Sequence, residues 1–339
     1  METRHDMGRR LWAQSHPEIE AKPSMKRRKA GHDYQGRCIY MITLTVDGRR
    51  PLLGILCGPN NDSSGLPYIE PTELEQRVLQ QWQEISQYHP EVRLLDVQLM
   101  PDHLHGIIYV TKRLPYHLGH VINGFKHGCN CLLSDLSVHC EPPARNIMPL
   151  WEKGYNDQIL KEKHQLDRWK KYLKDNPRRL WEKRQHPELF TARQGFVLGG
   201  TNVTVMGNIF LLDYPVKEQV QCSRRLTVEE IEHESNRIIS LAQDGAVLVS
   251  PCISPGEKAI MKRAFEAGIP QIILLENGFA PMQKPSGRQF DACVQGRLLL
   301  VAPWPHHNDH RVITREQCLQ LNELCRLICE PAARNAPTE

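Results

Sequence analysis

The sequence predicts an α+β fold in its first half and an α/β fold in its second. Three observations point that way. The runs RCIYMITLTV (37–46) and HLHGIIYV (103–110) are rich in β-branched and aromatic residues, as strands are. They alternate with helical periodicity in the order β-β-α-β-β-α-β-α, which suits an antiparallel sheet with helices packed on its faces. From about residue 207, short continuous apolar runs alternate with helices, as in a parallel sheet buried on both sides.

The elements follow in order. Residues 1–36 are polar, basic and aperiodic, and read as a flexible arm containing MKRRK (25–29). The strand at 37–46 has PLLGILCG (51–58) as its expected hairpin partner, and PNNDSSGLP is a loop. In PTELEQRVLQQWQEISQYH (71–89), Leu74, Val78, Trp82 and Ile85 recur at helical spacing behind a Pro-Thr start. Two strands, about 91–100 and 103–110, are broken by Pro101-Asp102. A second helix is expected at 115–133, with Leu118, Val121, Ile122, Phe125 and Cys129 on one face. GYNDQIL (154–160) is a short strand, and a basic helix spans about 162–176 and stops at Pro177. Residues 183–206 read as an irregular linker.

Beyond it, NIFLL (208–212), AVLVS (246–250), QIILLE (271–276) and RLLLVAP (297–303) read as strands. Helices are expected at 227–243, 256–267 and 314–329, giving a Rossmann-like domain over 207–330. The domain assignment is therefore an arm (1–36), an antiparallel-sheet domain (37–182), a linker (183–206) and this parallel-sheet domain.

Bulk properties narrow the function. The chain has 339 residues, 40% hydrophobic and 24% charged, enough for two cores. No apolar run approaches the roughly 18–20 residues of a membrane span. The N-terminal METRHDMGRRLW lacks the apolar stretch of a secretory signal, and 11 cysteines without framework spacing suit reduced thiols, so a cytoplasmic location is expected. Net charge is only +4, yet residues 161–184 hold ten Lys or Arg against four Asp or Glu. A polyanion, most commonly nucleic acid, fits that segment, and so does a solvated helix face with paired charges.

The chemistry concentrates in MPDHLHGIIYV (100–110). Alternation along a strand projects His103 and His105 to one side and Leu104 to the other. Two imidazoles so placed can ligate one divalent cation, although two hydrogen-bonded histidines of a structural kind would give the same pattern. On the basic helix, Tyr172 and Asn176 stand four residues apart on one face, beside a stripe of Leu166, Trp169 and Leu173 that would pin it to the sheet. An amide oxygen and two imidazoles leave positions open for phosphate oxygens, which suits Mg²⁺ or Mn²⁺ better than a closed zinc site. Asp102 is either an acceptor orienting His103 or simply a turn residue after Pro101.

Over roughly residues 37–182 the sequence resembles the single-tyrosine HUH transposases, which include insertion-sequence enzymes and the REP-associated tyrosine transposases. His103-Leu104-His105 matches the His-hydrophobic-His motif, and Tyr172-Leu173-Lys174-Asp175-Asn176 matches the tyrosine motif with its amide one turn on. The resemblance implies a ferredoxin-like or RRM-like HUH endonuclease fold. It also implies a divalent metal held by His103, His105 and Asn176, and Tyr172 as nucleophile on DNA, giving a 5′-phosphotyrosine. Tyr155, in WEKGYNDQIL, is the rival tyrosine, without an amide one turn later. The implied partner is single-stranded or hairpin DNA; a homodimer is compatible with the sequence, which leaves open whether the tyrosine helix packs within its own chain or exchanges between protomers. Lys126, Lys170, Lys171, Arg178 and Arg179 are the expected phosphate contacts.

In the second half, Ser250, Ser254, Gly256 and Glu257 lie in a tight turn between a strand and a helix start. Such a turn either binds an anionic ligand or only caps the helix. Its layout resembles, more loosely, the DNA-processing protein A family and related nucleotide-binding proteins, without a Gly-x-Gly-x-x-Gly fingerprint. Cys129, Cys131, His127 and Cys140 could be assembled into a zinc site, but core thiols fit their spacing better. Cys318, Cys325 and Cys329 read as core and PHHNDH (305–310) as a polar loop. Three functions remain: a tyrosine transposase, a domesticated hairpin-binding protein without turnover, and a hydrolase using zinc on His103 and His105.

Overall fold

Strand β1 (Cys38–Thr45) is the hub of the first half in the computed structural model, which describes residues 28–59, 65–138, 148–162, 164–243, 245–309 and 311–330. Its two edges are both occupied, by β5 (His103–Val110) over eight residue pairs and by β6 (Asn156–Leu160) over five. Strand β4 (Val92–Met100) continues the sheet beyond β5, giving the fully antiparallel order β4-β5-β1-β6. The expected hairpin between 37–46 and 51–58 does not form. Instead β2 (Gly54–Cys57) pairs with β3 (Tyr68–Pro71) as a separate ribbon. With both edges of β1 taken, the chain leaves through a tight turn at Asp47–Arg49 and must find another partner.

Alternation divides the residues of this sheet between two faces. Tyr40, Ile42 and Leu44 of β1 and Leu104 and Ile108 of β5 pack with Val78, Trp82 and Ile85 of α1 (Glu73–Tyr88) and with Val121, Ile122, Phe125 and Cys129 of α2 (Leu118–Val138). Gly106 is required on this side, because a Cβ there would lie 2.2 Å from Trp82 Cζ2. Met41, Ile107 and Leu160 point the other way and pack with Leu173 of α3 (Gln165–Gln185), flanked by Leu166 and Trp169. Burial of each large apolar side chain contributes about 1.5–3 kcal/mol, so this small second core suffices to dock α3 on the sheet.

Helix α3 does not stop at Pro177. It runs through the proline to Gln185, with Asn176, Pro177 and Arg179 all buried. Proline forfeits one intrahelical hydrogen bond, and burial of the surrounding turn offsets that loss. The start of the helix is fixed by Gln165, whose Oε1 accepts from the N–H groups of Lys161 and Glu162 at 2.8 and 3.1 Å.

The chain divides into two compact units after Trp181, inside α3. The second carries a six-stranded sheet in the order β7-β8-β12-β11-β10-β9. Strands β9 (Lys217–Gln219), β10 (Val247–Ser250), β11 (Gln271–Leu274) and β12 (Leu298–Ala302) are parallel, and β8 (Thr201–Gly207) and β7 (Arg193–Leu198) join antiparallel. Residues 183–206 are therefore no linker: the Gly199-Gly200 pair, both at positive φ, turns β7 into β8. NIFLL is likewise not a strand. Gly207 ends β8 at φ 113°, where a Cβ would meet Leu298 O at 2.3 Å, and Asn208 then caps a 3-10 turn over Ile209–Asp213.

Helices cover both faces of this sheet. Val247, Val249, Ile272, Leu299 and Val301 pack with Leu321, Leu324, Cys325 and Ile328 of α7 (Arg315–Cys329). On the other face Leu248 meets Ile238 of α4 (Val228–Gln243) and Ile260, Met261 and Ala264 of α5 (Pro255–Glu266). A further helix, α6 (Gly287–Val294), was not expected from the sequence and packs Phe290 and Cys293 on Leu298 and Leu300. Among the described residues no helix is long and apolar enough to cross a membrane.

Candidate active site

His103 and His105 leave β5 on the face covered by α3, and the cross-strand register sets Thr45 opposite His103 and Thr43 opposite His105. Their rings lie 4.7 Å apart, nearly perpendicular. Each imidazole has its Nδ1 engaged inside the protein. His103 Nδ1 is 2.6 Å from Asp102 Oδ1, and His105 Nδ1 is 2.9 Å from Thr43 Oγ1. Both Nε2 atoms are thereby left as the ligating positions, the arrangement in which a partner on one nitrogen orients the other. The hydrogen bond from His103 holds the Asp102 carboxyl below the usual carboxylate range. Burial, with repulsion from His103 and Arg49, lowers His105 to about 3, so this imidazole is neutral and lone-pair-bearing throughout the physiological range.

The tyrosine helix completes the cluster from the same chain. The Tyr172 ring lies 6.0 Å from the His105 ring and is 37% exposed. Trp169 holds it edge-on at 5.3 Å, and the Arg179 guanidinium lies 5.7 Å from its centroid. Asn176 continues the stripe of half-buried Leu166 and Trp169 and buried Leu173, and is only 7% exposed. Its Nδ2 is buried without a hydrogen-bond partner among the described residues. A buried N–H donor left unsatisfied costs about 1–3 kcal/mol; the atom of this amide that could ligate a cation is the carbonyl Oδ1. A divalent cation suits the donor set of two imidazoles and one amide oxygen.

The rival Tyr155 lies on the opposite face, in the core beneath α1 and α2. Its ring stacks under Arg28 at 3.5 Å, and burial pushes its phenol up to about 12. Of the expected phosphate contacts, Lys126 donates to the carbonyls of Glu152 and Gly154, and burial lowers it to about 8. Arg178 is bidentate on Asp175 at 2.6 and 2.9 Å, and Arg179 is buried 3.8 Å from the same carboxylate. Lys170 is half-buried and Lys171 exposed on α3. Thr43 and Arg49 were missed by sequence reasoning. Thr43 becomes visible only through the β1–β5 register, and Arg49 only through its 3.3 Å contact with Asp102.

In the second unit the polar groups of the Ser250–Glu257 turn are used internally. Ser250 donates to Val220 O, and Ser254 Oγ accepts from Glu257 N. The Glu257 carboxylate accepts from the N–H groups of Cys222, Ile253 and Ser254. A Cβ on Gly256 would press on Cys222 at 3.0 Å. This is capping-box chemistry. Cys129 is a buried thiol pushed up to about 12 by desolvation, and Cys131 and His127 are 3.9 Å apart; Cys140 lies outside the described residues. Among the described residues no group of three or more His, Cys, Asp or Glu forms a metal cluster. His306 bonds to Gly278 O of the loop after β11 and to Asn308, His307 bonds to Asp309 O, and His310 lies outside the described residues.

Comparison with known proteins adds the following. No protein-family model matches the sequence. An uncharacterized protein of Haemophilus influenzae is 24% identical over 174 residues, covering 45% of this chain and 87% of its own length. Among solved structures, a REP-associated tyrosine transposase bound to a REP hairpin aligns with a TM-score of 0.29 and 11% identity, over 44% of this chain and 72% of that one. DNA processing protein A from Helicobacter pylori, studied for single-stranded DNA binding, aligns with a TM-score of 0.32 and 18% identity, over 41% of this chain and 66% of that one. The functional reading rests on the site itself.

Proposed function

We propose that the first unit is a metal-dependent DNA strand transferase of the HUH transposase kind, acting on single-stranded or hairpin DNA with Tyr172 as nucleophile. The carrying observation is convergence: two histidines from β5 and a phenol from α3 meet on one sheet face of a single chain, with the buried Asn176 one helical turn beyond the phenol. His103, His105 and Asn176 would hold Mg²⁺ or Mn²⁺, which when bound offsets charge developing on the phosphate. Tyr172 Oη attacks phosphorus, the bond to the 3′-oxygen breaks, and a 5′-phosphotyrosine forms. The phenolic proton passes to solvent, and the departing 3′-oxygen takes one up. Trp169 fixes the tyrosine ring, while Asp102 and Thr43 fix the two imidazoles. The phosphotyrosine retains the bond energy, so a second 3′-hydroxyl can reverse the step and join strands without ATP.

The second unit, with its parallel strands covered on both sides, is read as a Rossmann-like accessory domain. The test is covalent trapping: labelled hairpin DNA and MnCl₂ should give a denaturation-resistant adduct that Tyr172→Phe abolishes. Binding with no adduct from the wild-type chain would instead indicate a hairpin-binding protein without turnover. Hydrolysis that needs zinc and ignores Tyr172→Phe would indicate a hydrolase.

A further inference from the structure

Directly after Thr45, which pairs with His103, the chain makes a tight turn at Asp47–Arg49. The turn is tied to the histidine end of the sheet: Val46 N–H donates to Asp102 O at 2.9 Å, and Arg49 N–H donates back to Val46 O at 2.9 Å. Gly48 and Arg49 both sit at positive φ, 65° and 55°. Glycine adopts that conformation freely, whereas an arginine there is sterically disfavoured, and such outliers gather at functional sites.

The side chain offers no structural reason for the strain. Arg49 reaches Asp102 Oδ2 through Nη1 at 3.3 Å, and it remains 62% exposed. An ion pair that open to water contributes little. Its neighbour behaves differently: Arg50 donates from Nε to Asp47 O and from Nη2 to Pro149 O, holding the turn together. The fold thus uses one arginine to build the turn and aims the next at the carboxylate that orients His103. Asp102 in turn divides its oxygens, Oδ1 to His103 and Oδ2 to Arg49. Most of the guanidinium fork remains available, in a plane suited to two phosphate oxygens at once.

We propose that Arg49 is a catalytic phosphate-contacting residue, gripping non-bridging oxygens of the DNA phosphate presented to His103 and Tyr172. The inference rests on the strand-transfer reading for its chemistry but not for its test. In that chemistry the guanidinium stabilises charge accumulating on the phosphate.

The experiment uses the full chain, wild type, Arg49→Gln and Arg49→Lys, with a labelled DNA hairpin carrying single-stranded flanks. Binding is first measured in EDTA across a salt series. Loss of one phosphate contact should lower the slope of log K against log salt by about 0.7–0.9 in Arg49→Gln. Arg49→Lys should keep the slope while adduct formation with MnCl₂ stays at least tenfold below wild type. Mn²⁺ affinity, read from metal-induced stabilisation without DNA, should be unchanged in both. An unchanged slope in Arg49→Gln overturns the proposal. So does a fall in Mn²⁺ affinity that matches the fall in adduct, since Arg49 would then act only by positioning Asp102, and so does absence of DNA binding by wild type. A wild-type chain that binds DNA yet forms no adduct sinks the strand-transfer reading alone, and the salt slopes still decide whether Arg49 holds phosphate.

Discussion

Replacing Asn176 by leucine separates folding from metal binding in one variant. The amide is 7% exposed and its Nδ2 has no partner among the described residues. An unmet buried donor costs about 1–3 kcal/mol, and leucine keeps the same branching at Cγ, although it is larger, and extends the apolar stripe of Leu166, Trp169 and Leu173. In EDTA the variant should therefore be as stable as wild type or more so, by about 1 kcal/mol. Metal reverses the ranking. At MnCl₂ one hundredfold above its dissociation constant, wild type gains about 2.7 kcal/mol. If loss of one of three ligands weakens binding about a hundredfold, the variant at the same concentration gains only about 0.4 kcal/mol. The assay is urea unfolding of both proteins with and without MnCl₂. A variant that loses about 2 kcal/mol or more in EDTA refutes the reasoning that Nδ2 is a costly unmet donor, and one that gains as much from Mn²⁺ as wild type refutes Oδ1 as a ligand.

Three further outcomes follow from the same geometry. Tyr155→Phe should leave adduct formation intact and stability within about 1 kcal/mol of wild type, because the phenol is buried on the far face of the sheet with no hydrogen-bond partner among the described residues; loss of the adduct would reinstate Tyr155 as nucleophile. Gly106→Ala should cost about 3 kcal/mol by urea unfolding through its clash with Trp82, and Trp82→Phe in the same chain should recover part of that; strictly additive losses would refute the close-approach argument. His105 has a folded pKa depressed to about 3 from an ordinary 6.5, so the unfolded chain binds the extra proton in that interval. The stability due to the neutral imidazole is complete above pH 6.5 and declines as pH falls towards the folded value. Between pH 6.5 and 4.5 the metal-free protein should lose about 2 kcal/mol that His105→Gln does not lose, and parallel pH profiles would count against the shift.

The sequence by itself determined the local chemistry. Alternation in HLHGIIYV put His103 and His105 on one side of a strand, and helical spacing put Tyr172 and Asn176 on one side of a helix, because these depend only on backbone periods of 2 and 3.6. The parallel strands β10, β11 and β12 were equally legible, as continuous apolar runs bounded by turns. Errors arose where a local signal met a non-local competitor. PLLGILCG has a good strand pattern, but β5 and β6 had already claimed both edges of β1. Pro177 ends helices in isolation, yet burial of its turn carried α3 eight residues further. NIFLL has strand composition and became a 3-10 turn because Gly207 and Asn208 redirect the backbone.

Only the tertiary structure decided which tyrosine faces the histidines. Tyr155 and Tyr172 differ by one sheet face, and face is set by the register of β6 on β1 together with the side on which α3 docks. The same holds for Thr43 on His105 and Arg49 on Asp102, contacts between residues 62 and 53 positions apart in the chain. A cross-strand neighbour depends on register, and register is fixed by the summed burial of a whole face rather than by either residue alone.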